Sequence, residues 1–330
     1  MLVLTACGDS GCPDSLTISQ DYRVPEEKQL IVYTSHKEEV YLPIIMEFEN
    51  RTGIWVEVHA GGTTEMFKEA REASKNGACD IMFGGGVESF EASKDLFMRY
   101  EPSEKDKIDA HYLSNGGFWT PFTEIPLVFV YNNKLVSESE APHTWTDLLQ
   151  PKWSGQIAFA DLHSSGTSYT ALSALSQIMG DDSEKVLTSF IEGVKSRVLA
   201  SSSEVIPDVS NGTFLVGITL EETAKKSIRA GADITMVYPE DGTAAPPDGC
   251  AMVKNAPHRY NAGVFIDFVT GYDTQKYAMD TFCRRPVRKD IPLSEDYEAI
   301  KKIDFSIEES AREEKQIFAL WDAIMNKGVS

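Results

Sequence analysis

Apolar positions follow two rhythms along this chain. Leu30-Ile31-Val32-Tyr33 is a short continuous run. It passes through Thr34-Ser35-His36 into a segment where Val40, Tyr41, Ile44, Ile45 and Phe48 recur at three- and four-residue spacing. The run predicts a buried strand. The spacing predicts an amphipathic helix over about residues 37–51, ended by Gly53. Ile54-Trp55-Val56-Glu57-Val58 alternates as a half-buried strand does, and Gly61-Gly62-Thr63-Thr64 opens a helix over residues 65–75. Cys79-Asp80-Ile81-Met82-Phe83 reads as another buried strand, running into Gly84-Gly85-Gly86. Strands and helices in alternation predict an α/β fold with a parallel sheet covered by helices.

The rhythm breaks at Trp119-Thr120-Pro121-Phe122-Thr123-Glu124, and Leu127-Val128-Phe129-Val130-Tyr131 resumes as a strongly apolar strand. A first crossing into a second lobe is placed there. Further strands are expected at 156–160, 214–219 and 234–238, with helices following Ser164-Ser165-Gly166-Thr167 and Glu221-Glu222. Pro239-Glu240-Asp241-Gly242-Thr243 reads as the second crossing. The last helix starts at Ser306-Ile307-Glu308-Glu309, a capping-box pattern. The expected division is residues 28–124 plus 240–289 for one lobe and 125–239 plus 290–330 for the other, with residues 1–27 as a tether.

Charge and motifs narrow the function. A net charge of −20 argues against nucleic acid and anionic membrane surfaces as partners. No run reaches the roughly 20 apolar residues of a membrane span. Leu4-Thr5-Ala6-Cys7 resembles a bacterial lipobox, which makes Cys7 the candidate lipid anchor and places the protein outside the cytoplasm. No cysteine pair has metal-ligand spacing. A Cys250–Cys283 disulfide stays open beside the reading of both as buried thiols. The chain has no G-x-S-x-G, H-E-x-x-H or phosphate loop, and its six histidines are scattered. The expectation is a binding protein, not an enzyme, with no cofactor and no metal.

Candidate binding residues lie where strands give way to helices, because unpaired N–H groups and the positive end of a helix dipole meet there. Ser164, Ser165, Gly166 and Thr167 form the strongest anion candidate. Thr34, Ser35 and His36, and then Thr63 and Thr64, repeat the arrangement. Arg284-Arg285-Pro286-Val287-Arg288-Lys289 reads as a solvated basic face, with a phosphate role for Arg284 or Arg288 as the other reading.

The layout resembles the extracytoplasmic substrate-binding proteins of ABC transporters, in the branch with ferric, thiamine, phosphonate and hexose-phosphate binders. The marks are Tyr33-Thr34-Ser35-His36-Lys37-Glu38, Phe48 to Val56 with its F-x-x-x-T-G-I-x-V look, Asp80-Ile81-Met82-Phe83, Trp145 to Gly155, and Tyr238 to Thr243. The resemblance implies a two-lobe periplasmic-binding-protein fold, type II-like, with two hinge crossings that close on a ligand. Ferric members hold iron with a His, a Glu and adjacent tyrosines. Here His36 matches, but glycines including Gly85 stand at the Glu position, and Thr219-Leu220-Glu221-Glu222 replaces the tyrosines. The phosphorylated-ligand members look closer. Their chemistry implies hydroxyl donors for the phosphorus group, with Asp161, Glu221, Glu240 and Asp241 as acceptors for the remainder; Thr219, Gly242 and Thr243 join the expected site. The implied ligand is a small anionic organic molecule. The implied partners are an ABC permease with its ATPase, or a sensor histidine kinase, met by a monomer.

Overall fold

A computed structural model describes residues 24–326. Cys7 and most of the expected tether lie outside the described residues. Among the described residues ten strands form two sheets, one per lobe. The first holds β1 (Gln29–Thr34), β2 (Trp55–Ala60), β3 (Ile81–Gly86), β4 (Thr120–Glu124), β9 (Pro247–Met252) and β10 (Arg285–Pro286), in the order β10-β4-β9-β3-β1-β2. The second holds β5 (Leu127–Asn132), β6 (Ile157–Ala158), β7 (Val216–Leu220) and β8 (Ile234–Val237), in the order β6-β7-β5-β8.

The parallel sheet expected from the alternating pattern is only part of the result. β2, β1 and β3 are parallel, and so are β6 and β7. β9, β4 and β10 run antiparallel to their neighbours, as does β5 to β7 and β8. The reason is topological: β4 and β5 lead out of one lobe into the other, and β9 brings the chain back. This is the periplasmic-binding-protein fold.

The helices that matter for the cleft are α1 (Glu38–Thr52), α2 (Thr63–Ser74), α3 (Val87–Ala92), α4 (Gly166–Met179) and α7 (Glu221–Arg229). Also relevant are α5 (Ser183–Val194), α6 (Val205–Ser210), α8 (Arg259–Thr270), α9 (Tyr272–Phe282) and α10 (Ile307–Met325). The apolar stripe of α1, Val40, Ile44, Ile45 and Phe48, is buried as its spacing predicts, with the Phe48 ring against the edge of Phe265. The second lobe packs around Trp145, Phe159 and Trp321, and Ile317, Trp321 and Ile324 of α10 complete that core. Among the described residues no helix is long and apolar enough to cross a membrane. Cys79, Cys250 and Cys283 are buried free thiols, so Cys250 and Cys283 are not bridged.

The crossings lie side by side. Ile125 N–H donates to Pro246 O at 3.1 Å and Leu127 N–H to Ala244 O at 3.0 Å. The second crossing falls later than residues 239–243. Glu240 N–H donates to His143 O at 2.8 Å, Trp145 Nε1 donates to Gly242 O at 3.0 Å, and Thr243 Oγ1 donates to Leu127 O at 2.6 Å. Residues 240–244 therefore belong to the second lobe. The chain then passes between the lobes a third time. Tyr297 hydroxyl donates to Met279 O in the first lobe, and Ile303 N–H to Thr243 O in the second, before α10 begins.

Candidate ligand-binding cleft

The lobes meet along a cleft with two unlike sides. On one side, strand ends and helix starts converge. β3 ends in glycines with positive φ, +98° at Gly84 and +92° at Gly85, a conformation that glycine adopts without steric cost. A Cβ on Gly85 would lie 2.8 Å from Thr63 Cγ2, 3.3 Å from Phe67 and 3.6 Å from Ser35 Oγ. The missing side chain thus lets Ser35, Thr63 and Phe67 close around one point. Across the cleft, a Cβ on Gly166 would lie 3.1 Å from Thr63 Oγ1. α2 begins at Thr63 and α4 at Gly166, so two helix N-termini from opposite lobes face each other. Their orphan N–H groups and dipole ends favour an anion between them. Ser165 caps α4, its hydroxyl accepting from Ser168 N–H at 3.1 Å. The adjoining cavity has a volume of about 370 Å³ and draws its walls from both lobes.

Glu88, in the first turn of α3, closes this side. It is 1% exposed, and its Oε1 accepts a hydrogen bond from Thr170 of the opposite lobe. Its other oxygen has no partner. Burial pushes the carboxyl up to about 7, against the Thr170 hydrogen bond and its own backbone N–H, with Glu314 raising it further.

The other side is built from charge. Arg284 contacts Asp248 and reaches Glu222 of the second lobe at 3.6 Å. Arg285 donates to both oxygens of Glu221, at 2.7 and 3.0 Å. Glu221 also takes Lys225 at 2.9 Å and the Tyr238 hydroxyl. Lys226 bridges Glu222 at 2.8 Å and Glu39 of the first lobe at 2.5 Å. Burial alone would raise the Glu221 and Glu222 carboxyls. Arg285 for the one, and the Arg284 and Lys226 charges for the other, hold them below the usual range. His36 sits beneath this side, 3.4 Å from Asp248 and edge-on to Phe83 and Phe122. Burial, then the Arg284 charge, hold its imidazole well below the ordinary range, so it is neutral.

Of the residues expected from sequence, the structure gathers Ser35, Thr63, Thr64, Gly85, Ser165, Gly166 and Thr167 at or beside the helix ends. Others are placed differently. Thr34 is fully buried and its hydroxyl accepts from His36 N–H at 3.1 Å. Ser164 Oγ donates to backbone, 2.6 Å from Ala200 O, and Asp161 accepts from His163 N–H at 2.8 Å in a local turn. Thr219 lies buried within β7, and Glu221 is saturated by its cations. Glu240 is 71% exposed near His143, while Gly242 and Thr243 face second-lobe partners. Asp241 accepts from Trp145 N–H at 3.1 Å. In this structure these acids are held by protein partners or lie in solvent. The arginine run is corrected too: Arg284, Arg285 and Arg288 are 5%, 3% and 4% exposed, because Asp248, Glu222, Glu221, Asp290 and Glu104 pair with them. Trp119, Phe122 and Trp153 are core side chains.

Sequence reasoning missed Glu88, Thr170, Asp248 and the wall residues Phe67, Tyr169 and Phe318. A glutamate two residues beyond a glycine run was the one available signal.

Two α/β lobes, paired crossings and helix ends converging in the cleft are the architecture of a solute-binding protein. The chain belongs to the family of bacterial extracellular solute-binding proteins, matched over residues 79–306. It is 24% identical over 309 residues to iron uptake protein A1 of Synechocystis sp., covering 88% of this chain and 83% of that protein. Among solved structures it is similar to the periplasmic binding protein AfuA of Actinobacillus pleuropneumoniae with fructose-6-phosphate bound. The TM-score is 0.83 at 22% identity, over 90% of this chain and 98% of that one. It is also similar to a ferric binding protein from Campylobacter jejuni, with a TM-score of 0.79 at 19% identity, over 89% and 99%.

Proposed function

We propose that this protein captures a small phosphorylated organic anion by lobe closure and delivers it to an ABC importer from outside the cytoplasm, tethered through Cys7. The observation that carries the reading is the meeting of Thr63 and Gly166: two helix starts from opposite lobes, with Ser35, Gly85 and Ser165 beside them, bring N–H and hydroxyl donors to the wall of one cavity. The solute is released unchanged. Closure accounts for capture, because the helix ends belong to different lobes and only the closed form presents both. A ligand at a thousandfold its Kd stabilises that form by about 4 kcal/mol.

The iron named for the Synechocystis and Campylobacter proteins is the second reading. The donor set favours the organic anion. Among the described residues no three His, Cys, Asp or Glu side chains are grouped to hold a metal ion. Fe(III) asks for several anionic oxygens, and the candidates are engaged: Tyr169 hydroxyl donates to Ser310 O at 2.5 Å, Tyr238 hydroxyl to Glu221. A thermal-shift panel of glucose 6-phosphate, 2-aminoethylphosphonate, inorganic phosphate and ferric citrate tests the reading. A clear upshift with a phosphorus compound is expected. An upshift with ferric citrate alone overturns it.

A further inference from the structure

The cavity beside the helix ends is lined by aromatic side chains from both lobes. Phe67 on α2 of the first lobe stands at one wall, held edge-on by Phe90 with centroids 4.9 Å apart. Tyr169 and Phe318 of the second lobe form the other, tilted by 33° with centroids 5.8 Å apart, above the fully buried Leu162. The Tyr169 hydroxyl is spent on Ser310, so the side chain offers the cavity ring carbon. Phe67 also lies 3.3 Å from where a Gly85 Cβ would be. Thr63, Thr64 and Gly166 of the helix ends line this same cavity. The wall carries a single carboxyl, Glu314, which burial holds above its usual range despite Lys315. The carboxylates expected to read sugar hydroxyls are elsewhere, Glu221 in its cation cluster and Glu240 in solvent.

We propose that the organic part of the ligand is a flat, largely apolar ring, seated between Phe67 and the Tyr169–Phe318 pair while its phosphate takes the helix ends. A polyol needs acceptors for each hydroxyl it desolvates; ring faces of Phe67, Tyr169 and Phe318 make up much of these walls, with the Thr63, Thr64, Ser89 and Ser93 hydroxyls as part of the polar remainder. A flat ring gains from stacking on both sides, and the volume suits a one-ring ligand. The inference rests on the phosphate reading above and names the partner group of that same site.

Calorimetric titration of the full-length chain with phenyl phosphate, glucose 6-phosphate, inorganic phosphate and phenol tests it. Phenyl phosphate is expected to bind about tenfold or more tighter than the other three. Phe318→Ala, at a half-buried position, is expected to bring phenyl phosphate down to the level of inorganic phosphate without changing the latter. Glucose 6-phosphate equal to or tighter than phenyl phosphate, or a preference untouched by Phe318→Ala, overturns the ring while leaving the phosphate reading. Phenol binding as tightly as phenyl phosphate overturns the phosphate reading and leaves the ring. No binding by any of the four overturns both.

Discussion

The two sides of the cleft use opposite chemistry. Around Thr63 and Gly166 hydroxyls, glycines, helix ends and aromatic rings dominate, with Glu88, Glu314 and Lys315 as the charged minority. Around Arg284 and Arg285 nearly every group is ionised and paired, and the pairs run from one lobe to the other. A buried ion whose partners are all protein groups has little left for a solute, and removing one partner strands the others. Donors left unpaired, by contrast, wait for something to arrive. On the proposed reading the charged side works as a clasp between lobes, and the other side as the place of recognition.

The sharpest way to break this division is Arg284→Met, which leaves Asp248 and Glu222 buried without their cation. Unfolding stability is expected to fall by about 3–5 kcal/mol in urea denaturation, with the order of preference among phosphate esters unchanged. A change of preference would move Arg284 to the recognition side. Next in size is Gly166→Val, which puts side-chain carbon against Thr63. Affinity for phenyl phosphate is expected to drop roughly 10- to 100-fold, with stability nearly intact.

Glu88 sharpens the comparison, because it is an acid on the recognition side. Its carboxyl sits near 7 in the closed form and returns towards about 4.3 when opening exposes it to water. The closed form binds the extra proton, so closure is fully favoured below the open-form value. That advantage is lost as pH rises through the closed-form value, and is gone above it. A distance probe across the cleft of the unliganded protein should report a closed-to-open ratio larger at pH 5 than at pH 8, by about tenfold or more. Glu88→Gln should flatten most of that dependence; an unaltered profile would mean that another group titrates. The smallest effect expected is for Ser165→Ala, about 1 kcal/mol of stability from the lost cap together with weaker phosphate binding. Unchanged phosphate affinity would make Ser165 a cap alone.

The lobes and the helix starts were readable because they rest on local rules. The stripe of α1, Gly53 after it and the Ser306 cap of α10 each follow from neighbours within a few residues. The antiparallel half of the first sheet was not readable, since it depends on which lobe a strand returns from. The arginine run misled for the same reason. Six residues dense in positive charge look solvated until partners 36 and 64 positions away, Asp248 and Glu221, are folded against them. Glu221 reads as a ligand contact because a carboxylate after a buried strand needs a partner, and Glu240 because it lies at the expected second crossing. The partner of Glu221 turned out to be protein.

The packing of α10 has a bearing on how the molecule is made. Ile317, Trp321 and Ile324 fill the same core as Leu127 and Phe129, nearly two hundred positions earlier. A ribosome delivers the chain from its N-terminal end, and a core of such distant contacts gathers slowly. The second lobe therefore stays incomplete until α10 has emerged. A chain halted before Trp321 is expected to be cut readily by protease, and one carried past it to resist.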